Sequence, residues 1–147
     1  MVPGGSAEPA SSVEEAIEQV RRHGGRATAS RQELLRILFA ANKHQTAEEL
    51  ASQLQSFSPD VHLSTIYRNL EELERLGIIT HTHLGHGPAA YHLATAVHGH
   101  LLCEICGSMI EAPSEMFDDL RHAALKNYGF VIDPHHFAVL GRCSSCK

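Results

Sequence analysis

Two Cys-x-x-Cys pairs constrain the fold of this chain more than any other feature. Cys103 is paired with Cys106, and Cys143 with Cys146. Four thiolates complete a tetrahedral shell around zinc and leave no open coordination position, so these pairs predict a structural zinc. The 36 residues between Cys106 and Cys143 exceed the usual zinc-ribbon spacing of roughly 15 to 20 residues. The intervening chain must therefore form a helix and a strand that return to the first pair.

The N-terminal segment gives no sign of export. MVPGGSAEPASS lacks a basic region followed by an apolar run. No later stretch approaches the roughly 18 apolar residues that cross a membrane. We therefore expect a cytoplasmic protein without a membrane partner. Thiols stay reduced in the cytoplasm, which favours zinc over the alternative of disulfides.

Apolar residues at helical spacing predict several short helices after a disordered tail at residues 1–12. The first helix runs from Val13 to His23, and the next two begin at the N-caps Ser30 and Thr46, each followed by Glu three positions later. The fourth, HLSTIYRNLEELERLG, ends at Gly77. Its buried stripe is predicted to hold Leu63, Ile66, Leu70, Leu73 and Leu76.

After Gly77 the hydrophobic period changes to that of strands. Residues 78–83 and 90–93 predict a hairpin with its turn at 85–88. Helices followed by a hairpin are typical of a winged helix-turn-helix, whose last helix enters the DNA major groove. We therefore predict a winged-helix DNA-binding domain at 13–93 and a hinge at 94–97.

The remaining residues, 98–147, predict a small α/β domain. Strands flank the first cysteine pair, a strand from His136 to Gly141 precedes the second, and a helix spans Ser114 to Asn127. The helix residues expected to face inward are Phe117, Leu120, Ala124 and Leu125. The predicted fold class is thus α+β, with a winged helix-turn-helix domain followed by a small α/β domain that carries a four-cysteine zinc site. So thin a core would benefit from both a zinc ion and a dimer partner.

Charge and composition leave a nucleic-acid role open. The net charge of −5 does not favour phosphate contacts, but Arg21, Arg22, Arg26 and Arg31 lie within eleven residues. We expect the fourth helix to contact the groove and phosphates of double-stranded DNA, with Arg26 and Arg31 as backbone anchors. The candidate contacts in that helix are Ser64, Thr65, Tyr67 and Arg68. For Tyr67 the alternative is packing against a neighbouring helix.

Histidine is concentrated just before the first cysteine pair, with six among the twenty residues from His81 to His100. His98 and His100 alternate along a strand, so their side chains point the same way. Imidazole and carboxylate ligands suit Fe(II), Zn(II), Ni(II) or Mn(II) at an exchangeable site. The candidate ligands of this second, regulatory site are His44, His92, His98, His100 and Glu111. We expect no ligand role for His23, His62, His86 or His122.

Three strings, in this order, resemble the ferric uptake regulator family of metal-dependent repressors: LSTIYRNLEELERLGII, HGHLLCEICGSMIE and GRCSSC. The resemblance covers the chain from about Arg26 to Cys146. It implies a homodimer, an N-terminal winged-helix domain, a C-terminal dimerisation domain at 98–147 and a structural zinc on Cys103, Cys106, Cys143 and Cys146. It also implies that the regulatory histidine site bridges the two domains, so that metal acts as corepressor on a palindromic operator.

Departures from the family pattern bear on the metal. Thr95-Ala96-Val97 stands where members often have further histidines, and peroxide-sensing members usually have aspartate where His92 stands. HTHLGHGPAAYHLA and HFAVLGRC look most like the nickel-responsive branch, which implies an additional site on His81, His83 and His136. The regulatory ion is thus expected to be Ni(2+), Fe(2+) or Zn(2+), and peroxide sensing by oxidation of His44 or His98 is the alternative.

Two other classes of protein compete with the repressor. A metallohydrolase would need a catalytic signature such as His-Glu-x-x-His and a general base beside the metal, and neither is evident. A zinc-stabilised interaction module or metal buffer would need no DNA contact. We therefore expect a non-enzymatic, metal-responsive DNA-binding protein without a small-molecule substrate.

Overall fold

The computed structural model describes residues 9–41, 43–83, 87–95 and 98–147, apart from the side chain of His136. The helices are α1 Val13–Arg22, α2 Ala29–Ala41, α3 Ala47–Phe57, α4 Leu63–Arg75 and α5 Asp118–Tyr128. The strands are β1 Gln45–Thr46, β2 Ile79–His83, β3 Ala89–Leu93, β4 His98–Cys103, β5 Met109–Pro113 and β6 Ala138–Gly141. Short 3-10 helices occupy Ser114–Phe117, Pro134–His136 and Ser144–Cys146. The predicted α+β class is confirmed.

Two compact units divide these elements. Unit 1 holds the described parts of Met1–Thr80 with Tyr91–Thr95, and unit 2 holds those of His81–Ala90 and Ala96–Lys147. The strands form two three-stranded sheets, ordered β1-β3-β2 and β5-β4-β6. In the second sheet β4 is antiparallel to β5 and parallel to β6. Of the predicted hinge, residues 96 and 97 lie outside the described residues, as do 85 and 86 of the predicted hairpin turn.

Unit 1 is held together by a leucine-rich core between its helices. The side chains with less than 2% exposure include Leu34, Leu35, Leu38, Leu50, Leu54, Ile66, Leu70 and Leu73. The stripe predicted for α4 is therefore largely buried, but Leu63 at its first position is 38% exposed. The reason is positional, since Leu63 begins the helix and precedes the turn that first meets the core. The spacing of apolar residues did not identify Asn69 as a buried position, because its side chain is polar, yet the residue is only 5% exposed.

Side chains cap the helices of unit 1 at their N-termini. Ser12 Oγ accepts a hydrogen bond from the Glu15 amide at α1. Thr46 and Glu49 form the predicted reciprocal capping box at α3. The prediction of Ser30 as N-cap of α2 is wrong, because the helix begins one residue earlier and Thr28 Oγ1 accepts from the Arg31 amide at 3.3 Å. Thr28 and Ser30 are both preferred N-cap residues, and which of them caps the helix depends on where the backbone becomes helical.

Unit 2 buries little apolar surface within one chain. Its helix α5 has no buried residue, and Leu120 and Leu125 are 49% and 53% exposed. The prediction that both face inward is wrong, whereas Phe117, at the end of the preceding 3-10 helix, is 6% exposed. The predicted strand from His136 begins instead at Ala138, because Asp133 caps a 3-10 turn by accepting from the His135 amide at 2.9 Å. Along the described residues, no helix is both long and apolar enough to cross a membrane.

Candidate metal centres

The four cysteines converge because their strands are neighbours. Cys103 ends β4 and pairs in parallel register with Gly141 at the end of β6, so both Cys-x-x-Cys turns leave the sheet at the same edge. Gly107, with a φ of +72°, allows the tight turn after the first pair. The four Sγ atoms lie within 4.8 Å of one another, and those of Cys106 and Cys143 are 3.8 Å apart. A tetrahedral Zn–S site with bonds of about 2.3 Å has edges of about 3.8 Å, which fits this cluster.

Hydrogen bonds shift the pKa values of these thiols in different directions. Backbone amides, first that of Cys106 and then that of Cys143, lower the pKa of Cys103 to about 6. The Cys143 amide donates to Cys103 Sγ at 3.4 Å. Ser108 lowers the pKa of Cys106 through its hydroxyl and its amide. Hydrogen bonding with Cys143 and Cys106 raises the pKa of Cys146 to about 12, so a metal ion that binds all four sulfurs must displace a proton from Cys146.

Two histidines of unit 1 form a close pair. His44 immediately precedes β1, His92 lies in the adjacent strand β3, and their ring centroids are 4.1 Å apart. His92 is 7% exposed. Its Nδ1 lies 3.0 Å from the carbonyl oxygen of Leu93. A neutral imidazole that donates from Nδ1 presents Nε2 as its ligand atom.

A second pair lies within unit 2, where His98 and His100 share one face of β4 with ring centroids 4.7 Å apart. His100 is 1% exposed, and its Nδ1 lies 3.3 Å from the carbonyl oxygen of Phe137. Burial is the main cause that lowers the pKa of His100, which keeps the imidazole neutral, as metal ligation requires. Glu111 is the cross-strand partner of His100, so its carboxylate stands on the same face of the sheet.

The residues predicted for an additional site are only partly described. His81 and His83 alternate on β2, and their rings meet edge to face with centroids 5.0 Å apart. The backbone of His136 lies in the 3-10 helix Pro134–His136. Its side chain is outside the described part of the chain, so the third predicted ligand remains a prediction.

A polar cleft in unit 1 gathers several of the predicted DNA contacts. Arg26 and Arg31 line it together with Thr65 and Arg68 from the first turns of α4. Arg31 is held by two hydrogen bonds, from Nε to Asn69 Oδ1 and from Nη1 to the carbonyl oxygen of Arg26, both 2.9 Å long. Nothing in the sequence pattern indicated this role for Asn69, because a polar residue on a buried helix face is recognised only when its partner is known.

Tyr67 lies outside that cleft and has a contact that the sequence did not indicate. Its hydroxyl donates to Glu48 Oε1 on α3 at 3.3 Å, and the residue as a whole is 38% exposed. Partial burial and then the Glu48 charge raise the pKa of Tyr67. The predicted alternative for Tyr67, contact with a neighbouring helix, therefore describes its hydroxyl, while the residue keeps a partly exposed surface. Ser64, the remaining candidate on α4, is exposed.

Comparison with known proteins bears on the identity of this arrangement. Residues 22–140 match the sequence pattern of the ferric uptake regulator family. A peroxide-responsive repressor PerR of Staphylococcus epidermidis is 30% identical over 135 residues, covering 92% of this chain and 90% of that protein. The ferric uptake regulator of Helicobacter pylori superimposes with a TM-score of 0.76 at 21% identity, over 92% of this chain and 93% of its own.

A second solved structure is closer in sequence. The ferric uptake regulator of Vibrio cholerae aligns with a TM-score of 0.69 and 27% identity, over 86% of this chain and 98% of its own. The family pattern and the repressor both span most of the chain, and the family pattern covers the histidine pairs and the first cysteine pair. The chain belongs to the ferric uptake regulator family and is a metal-binding, DNA-binding regulator of transcription.

Proposed function

We propose that this protein is a repressor that binds a palindromic operator as a homodimer when a divalent cation occupies its histidine site. The observation that carries the proposal is a close histidine pair in each compact unit, His44 with His92 and His98 with His100. An ion that takes ligands from both pairs is fully coordinated in only one mutual arrangement of the units. Its binding free energy selects that arrangement from a broader ensemble, which makes the metal a corepressor.

The donor set agrees with an exchangeable ion. Four imidazoles, with Glu111 as the candidate carboxylate, form a borderline set that accepts nickel, iron or zinc. The four-cysteine cluster is a closed thiolate shell and is proposed to hold zinc permanently. Because their ligands differ in softness and number, a mild chelator should remove the histidine-site ion and leave the thiolate-bound zinc in place.

The DNA-binding surface is proposed to be a winged helix-turn-helix in which α4 enters the major groove. Thr65 and Arg68 line the same cleft as Arg26 and Arg31. Residues of this cleft could therefore contact a phosphate and the edge of a neighbouring base at the same time. Ser64 and Tyr67 complete the proposed contacts on the first turns of α4. Short phosphate contacts from three arginines would offset the unfavourable net charge of −5.

The apolar residues left exposed by unit 2 support the homodimer. Leu101, Ile110 and Val139 lie side by side across its three strands, where Ile110 is 55% and Val139 39% exposed. On α5, Leu120 and Leu125 are about half exposed. An apolar surface of this extent is typical of an interface between subunits. A dimer would set two copies of α4 one helical turn of DNA apart, or a multiple of it, as a palindrome requires.

Two identities of the regulatory ion follow from different observations. The close pair His81 and His83 supports the nickel-responsive branch, with His136 as the proposed third ligand of an additional site. The alternative is peroxide sensing with iron, which the similarity to a peroxide-responsive repressor favours. In that case iron-catalysed oxidation would add oxygen to His44 or His98. We propose no catalytic turnover for either case and place the protein in the reducing cytoplasm.

One experiment tests the repressor and separates these identities. Protein treated with a mild chelator is titrated with Ni(II), Fe(II), Zn(II) and Mn(II), and retardation of a palindromic promoter fragment is measured at each step. His98→Ala should abolish the metal-dependent retardation, while His122→Ala, which removes an exposed histidine of the same unit, should retain it. If the fragment binds equally with and without metal, the corepressor proposal is wrong. Mass spectrometry of iron-loaded protein after peroxide treatment then tests for an added oxygen on His44 or His98.

The DNA surface is tested with a single substitution in α4. Arg68→Ala should weaken operator binding and leave the metal content unchanged, because Arg68 lines the arginine cleft of unit 1 and no proposed metal ligand lines that cleft. The matched control is Arg36→Ala, which removes an exposed arginine that pairs with Glu33 outside that cleft. Unchanged affinity of Arg68→Ala for the operator would remove Arg68 from the proposed contacts.

A further inference from the structure

Gly99 separates the two histidines of β4 and lies on the opposite face of the strand from both. On that face the ring of Phe117 is pressed against the glycine backbone. A Cβ atom at position 99 would lie 2.0 Å from Cε2 of Phe117, 2.7 Å from Cδ2 and 2.8 Å from Cζ. Carbon atoms in contact lie about 3.5 to 4.0 Å apart, so no other residue can occupy this position while Phe117 stays in place.

Phe117 in turn holds Phe137. The two rings meet edge to face, with centroids 4.9 Å apart and an interplanar angle of 72°. This geometry is favourable for aromatic pairs, and Phe117 is only 6% exposed. Phe137 immediately precedes β6, whose Ala138 is paired with His100 in the parallel ladder. The aromatic contact and the strand pairing therefore both fix the backbone at Phe137.

The carbonyl group of Phe137 is the one that lies 3.3 Å from Nδ1 of His100. A carbonyl oxygen can only accept, so the imidazole must carry its proton on Nδ1 and bind a metal through Nε2. Gly99 thus leaves room for the ring of Phe117, and the ring of Phe117 packs against Phe137. The Phe137 carbonyl group then fixes the tautomer and the orientation of His100. All four residues belong to unit 2.

We infer that Gly99, Phe117 and Phe137 form a positioning relay that sets the affinity of the regulatory ion through His100. The inference rests on the proposed function, because it takes His100 as a ligand of that ion. None of the three residues is proposed to bind the ion itself. Groups that orient metal-bound histidines typically change metal affinity by about 10- to 100-fold when they are substituted.

The test substitutes Gly99→Ala and uses Gly141→Ala as the matched control. Both glycines lie in strands of the same sheet, but a Cβ at Gly141 meets nothing within 4 Å. Affinity for Ni(II) and for Zn(II) at the histidine site is measured by competition with a chelating dye. Gly99→Ala should weaken binding by at least about 10-fold, and Gly141→Ala should match the wild type.

A second readout requires no metal at the histidine site. Long-range ¹H–¹⁵N spectra of the imidazoles, recorded on chelator-treated protein that keeps its thiolate-bound zinc, report which nitrogen of His100 carries the proton. The wild type and Gly141→Ala should show protonation at Nδ1. In Gly99→Ala the displaced Phe137 carbonyl should no longer hold that tautomer, and the signals of both tautomers should appear.

A rescue variant distinguishes the relay from general disruption. Leucine at position 117 lacks Cε2 and Cζ, two of the three ring atoms that a Cβ at position 99 would meet. Gly99→Ala combined with Phe117→Leu should therefore bind metal more tightly than Gly99→Ala alone, although each single substitution weakens binding. Should Gly99→Ala fail to fold, Phe117→Leu alone must still weaken binding several-fold and disturb the His100 tautomer.

His100→Ala separates a failure of the relay from a failure of the proposed function. If His100→Ala binds the regulatory ion as the wild type does, His100 is not a ligand and the proposed site itself is wrong. If His100→Ala loses the ion while Gly99→Ala keeps wild-type affinity and a single Nδ1-protonated tautomer, the function stands and the relay is refuted. Loss of binding in Gly99→Ala without recovery in the double variant also contradicts the relay.

Discussion

Substitution of Cys143 by serine should unfold unit 2 and leave unit 1 folded. Cys143 links the two cysteine pairs, since its Sγ lies 3.8 Å from that of Cys106 and its amide donates to Cys103 Sγ. A serine hydroxyl stays protonated at neutral pH and is a poor zinc ligand, so the variant should lose its structural zinc. The consequence depends on what else stabilises each unit.

The buried apolar side chains of unit 2 allow the stabilisation from its core to be compared with the stabilisation from zinc. Among the described residues of unit 2, the large apolar side chains with less than 9% exposure are Leu102 and Phe117. Burial of each contributes about 1.5 to 3 kcal/mol, or about 3 to 6 kcal/mol together. A structural zinc contributes roughly 10 to 16 kcal/mol in small zinc-dependent domains, so the metal outweighs the core of unit 2. In unit 1, ten leucine and isoleucine side chains are less than 2% exposed.

Hydrogen exchange with mass spectrometry measures the two units separately. In Cys143→Ser, peptides from β4 and β5 should exchange as rapidly as an unfolded chain, while peptides from α2 and α4 should keep wild-type protection. His98→Ala serves as the control, because it removes a histidine-site ligand but keeps all four cysteines. If β4 and β5 remain as protected in Cys143→Ser as in the wild type, zinc is not what stabilises unit 2.

Three further substitutions test local features of unit 1. Thr46→Ala removes the hydroxyl that accepts from the Glu49 amide but keeps the backbone amide that donates to the Glu49 carboxylate, and it should lower the free energy of unfolding by about 1 kcal/mol in urea denaturation. Little effect is expected from Ser52→Ala on the exposed face of the same helix. Gly77→Ala places a Cβ at a φ of +72° and should destabilise by about 1 to 2 kcal/mol, seen as a lower thermal midpoint; an unchanged midpoint would contradict the assigned backbone. Arg75→Gln should raise the pKa of Glu72 in a carboxyl NMR titration, because the hydrogen bond from Arg75 is the main cause that lowers it. A lowered carboxyl pKa stabilises the fold above the unfolded pKa, and that contribution is lost as pH falls through the folded pKa, so the variant should lose less stability on acidification than the wild type.

The sequence predicted the candidate ligands and caps better than it predicted the residues that hold functional side chains in position. The cysteine pairs, the capping box at Thr46 and the helical stripe of α4 could be predicted because each depends on spacing within a short segment. Asn69 and Phe137 could not, since their roles depend on Arg31 and His100, which are distant in sequence. The N-cap of α2 failed for a related reason, because Thr28 and Ser30 carry the same hydroxyl and only the backbone path distinguishes them.

The helix α5 shows a different limit of the sequence pattern. Its apolar spacing correctly predicted a helix, but Leu120 and Leu125 remain about half exposed within one chain. Periodicity identifies a face that excludes water and does not say whether the covering surface belongs to the same chain. The exposed apolar residues of unit 2 are therefore better explained by assembly than by an error in the helix, which agrees with the proposed homodimer.

The two ligand sets also suggest why one chain would carry two kinds of metal centre. The cysteines lie at the edge of one sheet within unit 2, so the ion that they hold can stabilise only that unit. The histidine pairs are divided between the units, and under the proposed function an ion that binds both pairs would signal its presence by ordering one unit against the other. In this proposal stability and response depend on different donor chemistry, thiolate for the permanent ion and imidazole for the exchangeable one. Because only the second ion must leave, residues such as Gly99 and Phe117, which are not proposed ligands, would adjust the affinity of that ion under the proposed relay.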